Sequence, residues 1–298
     1  MRLSERFASA ILFCTLFGCV LGLAACRRQE PPSPPVATPS VALSRTRIPL
    51  GSPVDVTYKF VVANDAQFTQ DYRVMVHILD ADGEMMWTDD HNPPVPTSQW
   101  KAGQTVEYMR TVFVPVYPYV GDASIQIGLY SVKDQTRATL AGEDAGQREY
   151  RVGTLQLLPQ TENVFIVFKE GWHPAEVAEH NSLVEWQWTK KDATLAFKNP
   201  KKAAFFYLDV DNPGNVLKEP QQVTLTLNEQ QIDQFQVKPE EQTLRKIPLT
   251  ADQFGTADMV ELKIGVDKTF IPALMNASSN KDPRELGIRV FHAFVEPK

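Results

Sequence analysis

The chain has 298 residues, of which 43% are hydrophobic, and a formal net charge of -6. It contains no basic run that could follow nucleic-acid phosphates, so nucleic acid is not an expected partner. The length is sufficient for two ordinary domains behind a targeting segment.

The first 25 residues have the order of a secretory signal. Arg2 and Arg6 give a basic start, and the apolar run ASAILFCTLFGCVLGLAA leads to Cys26. Length alone would also allow a membrane-spanning helix. The residues LAAC at 23–26 resemble the lipobox of bacterial lipoproteins. This resemblance implies that Cys26 becomes the first mature residue and is lipidated. The lipid would anchor the protein to the cell membrane or outer membrane, exposed outside the cytoplasm.

Residues 26–43 are predicted to be the lipidated cysteine and a linker. Five prolines fall between positions 31 and 39, and proline-rich chain is extended and semi-rigid. Because Cys14 and Cys19 lie in the signal, the mature chain would keep no thiol for a disulfide, a zinc site or a nucleophile.

Residues 44–158 alternate short runs rich in Val, Ile, Tyr, Phe and Thr with turn residues, which predicts the antiparallel strands of a β-sandwich. Asp82 and Gly83, flanked by apolar residues, predict a hairpin. The segment VMVHILDADGEMMWTDDHNPPVPTSQWKAGQTVEYMRTVFVP, followed by GDASIQIGLYS, resembles a domain of bacterial envelope and polysaccharide-related proteins. That resemblance implies an immunoglobulin-like accessory fold without catalytic residues.

Residues 159–298 contain nine candidate strands, which fit a second sandwich of jelly-roll type. The segment ADQFGTA, 251–257, is the predicted helical turn. Four segments of this region are similar to segments of envelope modules associated with glycosyltransferases: EGWHPAE, WQWT, TFIPALMN and DPRELGIRV. This similarity implies a link to surface-polysaccharide assembly. The fold class predicted for the whole chain is therefore all-β, with two sandwiches.

Three tryptophans fall within positions 170–189. Trp186 and Trp188 are two apart, so on a strand both project to one face, where they would fill a sandwich core or stack on a sugar ring. Core packing is the favoured interpretation. Trp172 follows Gly171 in a predicted loop, where a ligand contact is more plausible.

His173 and Glu176 are further candidates for ligand contact beside Trp172. Together with Glu179 and His180 they could share one face of a helical turn and bind a metal. The zinc motifs, however, require two histidines at a fixed spacing with a glutamate directly beside one of them, and this arrangement is missing. Solvated loop side chains are the preferred explanation, and neither a metal nor a cofactor is expected.

Two acidic groups have structural interpretations. Asp209, Asp211 and Asn212 could supply oxygens to calcium, but the further ligands of an EF-hand loop are absent and a turn at DNPG is favoured. Asp89, Asp90 and His91 are predicted to be solvated residues of a turn. Arg284 and Glu285 are predicted to clasp the start of the last strand.

These patterns predict a membrane-anchored, non-catalytic accessory protein that binds an envelope glycan or supports surface-polysaccharide assembly. A protein-interaction scaffold of the cell envelope is the alternative. A glycoside hydrolase would require carboxylates that converge from separate strands. Sequence motifs for nucleophile elbows, phosphate loops or dinucleotide binding are not found.

Overall fold

The computed structural model describes residues 33–213, 217–275 and 281–298, so the predicted signal, Cys26 and the linker up to residue 32 lie outside the described residues. Over these ranges the chain is nearly all β-structure, which confirms the predicted fold class. The short helix α1 (Ala251–Phe254) begins after a capping box formed by Thr250 and Gln253. No helix in the described part of the chain has the length and apolar character needed to cross a membrane.

The first sandwich has the strand arrangement of an immunoglobulin-like domain. One sheet has the order β1-β3-β6, and the other has the order β2-β9-β7-β4-β5 with β8 beside β9. β2 runs parallel to β9, as strand A′ runs beside strand G in that fold. The strands are β1 (Ala37–Leu43), β2 (Arg47–Pro49), β3 (Pro53–Val62), β4 (Arg73–Leu79), β5 (Met85–Thr88), β6 (Thr105–Phe113), β7 (Gly121–Tyr130), β8 (Glu143–Gly146) and β9 (Glu149–Leu158).

β1 occupies part of the segment predicted to be linker, so the first sandwich begins before residue 44. Its side chains alternate, with Ala37 buried and Thr38 exposed, and the strand pairs antiparallel with β3. Pro39 lies opposite Phe60 at the edge of the sheet. Proline is tolerated there because an edge strand has a free side on which no N–H donor is needed.

The second sandwich has jelly-roll topology. Its two four-stranded cores have the orders β12-β19-β14-β17 and β13-β18-β15-β16, and β11 and β10 extend their edges. This is the predicted architecture of the second half. The strands are β10 (Ile166–Phe168), β11 (Glu176–Ala178), β12 (Asn181–Trp188), β13 (Asp192–Lys198), β14 (Ala204–Asp211), β15 (Gln221–Leu227), β16 (Gln230–Val237), β17 (Gln242–Leu249), β18 (Met259–Val266) and β19 (Arg289–Pro297).

Each sandwich encloses its own hydrophobic core. Tyr58 and Phe60 from one sheet of the first sandwich pack with Ile127 and Leu157 from the other. The second core contains fully buried side chains from both sheets, including Phe197, Phe206, Leu225 and Leu262. Period-two alternation of buried and exposed residues supplies these faces, as sheet-on-sheet packing requires.

The two sandwiches meet in one compact unit, Pro34–Lys298. Phe113, the last residue of β6, stacks on the ring of His292 in β19, with centroids 4.0 Å apart. Beside this pair, Lys246 Nζ lies 2.9 Å from Asp55 Oδ2. Burial raises the pKa of Asp55, but hydrogen bonds from Thr111 and Lys246 outweigh burial and leave that pKa lowered. An aromatic contact and an ion pair therefore join the outer faces of the two sandwiches.

Candidate functional site

Trp172 is held by contacts within the second sandwich. Its indole N–H donates to the carbonyl of Thr194 over 2.8 Å, and its ring lies edge-on to Phe168, with centroids 4.7 Å apart. The preceding Gly171 has a φ of 82°, and a Cβ built there would lie 1.9 Å from the carbonyl oxygen of Asp192. Glycine is therefore required where this loop crosses β13.

His173 and Glu176 contact different groups of the protein. His173 Nε2 lies 2.7 Å from the carbonyl oxygen of Glu285, whereas Glu176, in β11, pairs with Arg284 over 2.7 Å. Arg284 also binds both carboxylate oxygens of Asp282, and this bond raises its pKa. The clasp predicted at Arg284 thus includes Glu176. We call residues 170–176 the Trp172 loop.

Trp186 and Trp188 lie outside the main core of the second sandwich. Trp188 is buried in a small separate cluster with Phe270 and Leu286, against which Trp186 packs. The guanidinium of Arg289 lies 5.1 Å from the Trp186 ring centroid and 5.9 Å from that of Trp188. Trp186 and Trp188 share one face of β12, as expected. Phe270 and Leu286, from the segment between β18 and β19, cover that face.

Asp209 and Asp211 belong to β14, so the predicted turn begins after them. Asp209 Oδ2 accepts from Gln242 over 2.8 Å and lies 3.1 Å from His292 Nδ1. Asp211 accepts from Arg289 Nε over 2.7 Å. Donors on neighbouring strands thus satisfy both carboxylates and allow them to remain in the strand. No group of three or more metal-ligating side chains was found within the described residues.

His91 is buried and Asp89 is largely buried, with 12% of its side chain exposed, so the prediction that they are solvated is wrong. Asp89 accepts from Tyr58 over 2.8 Å and from both Nε and Nη2 of Arg110. His91 Nδ1 donates to the carbonyl of Asp89, and Nε2 lies 2.8 Å from the Tyr108 hydroxyl. Burial lowers the pKa of His91, which favours its neutral ring. These bonds join the two sheets of the first sandwich.

A groove of about 490 Å³ lies at one end of the first sandwich. Three loops form it: β3–β4, β5–β6 and β7–β8. The first and last correspond to two of the loops that form the binding site of an antibody variable domain. We call it the loop-end groove, and its lining residues are Gln70, Asp71, Tyr72, Arg73, Asn92, Pro93, Pro96, Val132 and Lys133.

Hydrogen bonds between the loops hold the loop-end groove in shape. Thr97, which is fully buried, accepts from the backbone N–H of Tyr72 over 2.8 Å and donates to the carbonyl of Gln70. The Gln70 amide in turn donates to Asp134 over 3.1 Å. The backbone N–H of Ser98 donates to Asp71, next to Tyr72 in the β3–β4 loop. Each loop is thereby tied to its neighbour.

The lining combines apolar surface with hydrogen-bond donors. Pro96 and Val132 are exposed and supply the apolar surface, and buried Pro93 forms part of the wall. Asn92 and Lys133 are exposed, and within the described residues their side chains form no hydrogen bond or ion pair. A concave surface of a few hundred cubic ångströms with a few convergent polar groups is the usual form of a small-ligand site. The groove can therefore hold a polar, hydroxyl-rich ligand.

The sequence did not reveal the loop-end groove. Its residues come from three segments, 70–73, 92–96 and 132–133, and only the fold brings those segments together. The one local signal was the segment HNPPVP, 91–96, where clustered prolines fix the course of a loop.

No protein-family model matches the chain, and no curated protein matches it in sequence. Among solved structures, the N-terminal tandem CBM22 domain of Xyn10C from Paenibacillus barcinonensis is 8% identical, with 87% of this chain and 86% of that one covered and a TM-score of 0.27. A β-glucuronidase from Bacteroides uniformis is also 8% identical, with 87% and 30% covered and a TM-score of 0.30.

The secreted serine protease VesC from Vibrio cholerae is 10% identical, with 87% of this chain covered and a TM-score of 0.23. The match covers 51% of the protease, so the chain spans about half of its length. TM-scores this low identify neither the family of the chain nor its function.

Proposed function

We propose that this protein is a lipid-anchored component of the bacterial envelope that binds a glycan in the loop-end groove and leaves it chemically unchanged. The groove itself carries the proposal, because it combines a volume suited to a few sugar residues with donors that are not used inside the protein. Sugars present hydroxyls to such donors and C–H faces to apolar surfaces like those of Pro96 and Val132.

The carboxylate content of the groove supports binding without hydrolysis. Most glycosidases place two carboxyl groups about 5 to 9.5 Å apart across the scissile bond. Among the described residues that line the groove, Asp71 is the single carboxylic acid. Its carboxylate accepts a hydrogen bond from Ser98, which lowers its pKa and disfavours the protonated form that a general acid needs.

Binding by the groove is tested with the full chain, purified in detergent, and the polysaccharide fraction of the producing cell's envelope. We expect the double variant Asn92→Ala/Lys133→Ala to bind at least about tenfold more weakly than wild type. The matched control Lys101→Ala/Gln231→Ala changes two exposed residues outside the groove and should bind like wild type. Equal binding by both double variants would exclude the groove, and no binding by wild type would exclude the function.

The membrane anchor rests on the resemblance of residues 23–26 to a lipobox. Acyl chains on Cys26 would give stable attachment, since each buried methylene contributes about 0.8 kcal/mol. Cells fed an alkyne-bearing fatty acid should label the wild-type protein and not Cys26→Ser. Equal labelling of the two proteins would show that the lipid is attached to another residue. The absence of label from both would show that the protein carries no lipid.

A protein-binding scaffold is the second candidate, and the surface around β10 favours it. β10 lies at the edge of its sheet, and three apolar side chains near it are exposed: Phe165 at 79%, Val167 at 39% and Phe168 at 39%. Exposed apolar surface beside an open strand edge is typical of a protein-protein contact. Crosslinking in intact cells should then yield one dominant protein partner that is lost in Phe165→Asp.

A further inference from the structure

Arg73 differs from the other partly buried arginines in its surroundings. It donates from Nη2 to the backbone carbonyl of Asp90 over 3.0 Å, and its guanidinium lies 5.8 Å from the ring centroid of Tyr130. Its Nε is buried without a hydrogen-bond partner, as is that of Arg45. It forms no ion pair with a carboxylate of the described residues. Seven other arginines in the described part of the chain are partly buried. Arg148 donates to the carbonyl of Arg137, and the other six pair with a carboxylate: Arg45, Arg110, Arg137, Arg245, Arg284 and Arg289.

An unpaired guanidinium in this position is costly for the free protein. Removing a charge from water without a counter-charge is unfavourable, and a buried N–H without an acceptor adds to that cost. Arg73 lines the loop-end groove, so an anionic ligand bound there could supply the missing counter-charge.

The other charges of the groove limit the charge of that ligand. Lys133 adds a second cation, and Asp71 is the opposing carboxylate, so the lining has a net charge of +1. A ligand group with one negative charge balances this lining. The planar fork of a guanidinium also matches the two oxygens of a carboxylate.

We infer that the loop-end groove selects glycans that carry carboxylate groups, with Arg73 and Lys133 as the residues that determine this specificity. The inference rests on the proposed function. It names the chemical class of sugar, an acidic residue of the hexuronate type, that the glycan must contain.

Carboxyl reduction of the envelope polysaccharide gives a matched neutral ligand with the same linkages. We expect the full chain to bind the native polysaccharide at least about tenfold more tightly than its reduced form. Arg73→Gln and Lys133→Gln should each lower the ratio of the two affinities, native to reduced, toward one. They should do so chiefly by weakening binding to the native form. Lys101→Gln, which removes an exposed cation outside the groove, should leave the ratio unchanged.

The possible outcomes separate the two proposals. If wild type binds native and reduced polysaccharide equally, the carboxylate specificity is overturned and the glycan-binding function remains. If it binds neither, the function itself is lost. Because Lys133 is exposed and its side chain forms no hydrogen bond or ion pair with the described residues, Lys133→Gln provides the test even if Arg73→Gln does not fold. An unchanged ratio in Lys133→Gln would exclude that residue from recognition.

Discussion

The loop-end groove and the Trp172 loop both contain aromatic and polar side chains. They differ in whether the polar groups of those side chains are bonded to other groups of the protein. In the Trp172 loop, the indole N–H and the Glu176 carboxylate are bonded to groups of the same sandwich. In the groove, Asn92 and Lys133 are exposed without such bonds, while buried Thr97 behind them fixes the loops. Composition alone therefore does not mark a binding surface. The donors must also be left unused by the fold.

The largest effect is expected from Gly171→Ala. The new Cβ would overlap the backbone at Asp192 and would also require a positive φ, so we expect a loss of about 3 kcal/mol or more in the free energy of unfolding. Gly83→Ala is the control, because Gly83 has a similar φ of 83° with no atom within 4 Å of the added Cβ. It should cost about 1 kcal/mol. Equal losses in urea unfolding would contradict the close packing of the Trp172 loop.

Trp172→Ala should destabilise the protein without changing recognition. The partly buried ring and its hydrogen bond to Thr194 are lost, so we expect about 2 kcal/mol less stability, below the cost for a fully buried tryptophan. Glycan affinity, measured under conditions where the variant is folded, should equal that of wild type. A large fall in affinity with unchanged stability would make Trp172 a ligand contact after all.

Thr97→Val tests whether the groove depends on the bonds behind it. Valine keeps the shape but removes the acceptor for the Tyr72 N–H, which should cost about 1 to 2 kcal/mol. Because the β3–β4 loop is then less well fixed, affinity should also fall. Thr111→Val removes a comparable bond at the junction, to Asp55, and should leave affinity unchanged. Wild-type affinity in Thr97→Val would show that the loops hold the groove without this bond.

The smallest effect concerns His77 on the outer face of the first sandwich. Its hydrogen bond with Glu149 raises the pKa of His77, while burial opposes that rise. A raised folded-state pKa gives stabilisation that is complete below the unfolded value of about 6.5 and is lost as the pH rises through the folded value.

We therefore expect His77→Gln to lower the free energy of unfolding by about 0.5 kcal/mol at about pH 5.5, and by less at about pH 8.5. His91 remains in both proteins, so its opposite pH dependence cancels in the comparison. A loss of stability in His77→Gln that grows with pH would contradict a charged pair between His77 and Glu149. Glycan affinity should be the same in both proteins, since His77 does not line the groove.

The fold was more predictable from the sequence than the site. Alternation of apolar residues, the Asp82-Gly83 turn and the helical turn at 251–257 depend on local chemistry, and the structure contains all three. Burial of polar residues was not predictable. The local sequence around Asp89 is typical of a turn, and its partner Arg110 lies on β6, which is distant in sequence. The groove was missed for the same reason, because its loops are distant in sequence.

The measurement that tests the comparison most directly is a side-by-side titration of two variants with the envelope polysaccharide. Asn92→Ala/Lys133→Ala changes the groove, and Trp172→Phe changes the Trp172 loop while keeping an aromatic ring. With both proteins folded, the groove variant should bind at least about tenfold more weakly than wild type, and Trp172→Phe should bind equally well. Weak binding by Trp172→Phe together with full binding by the groove variant would contradict this account.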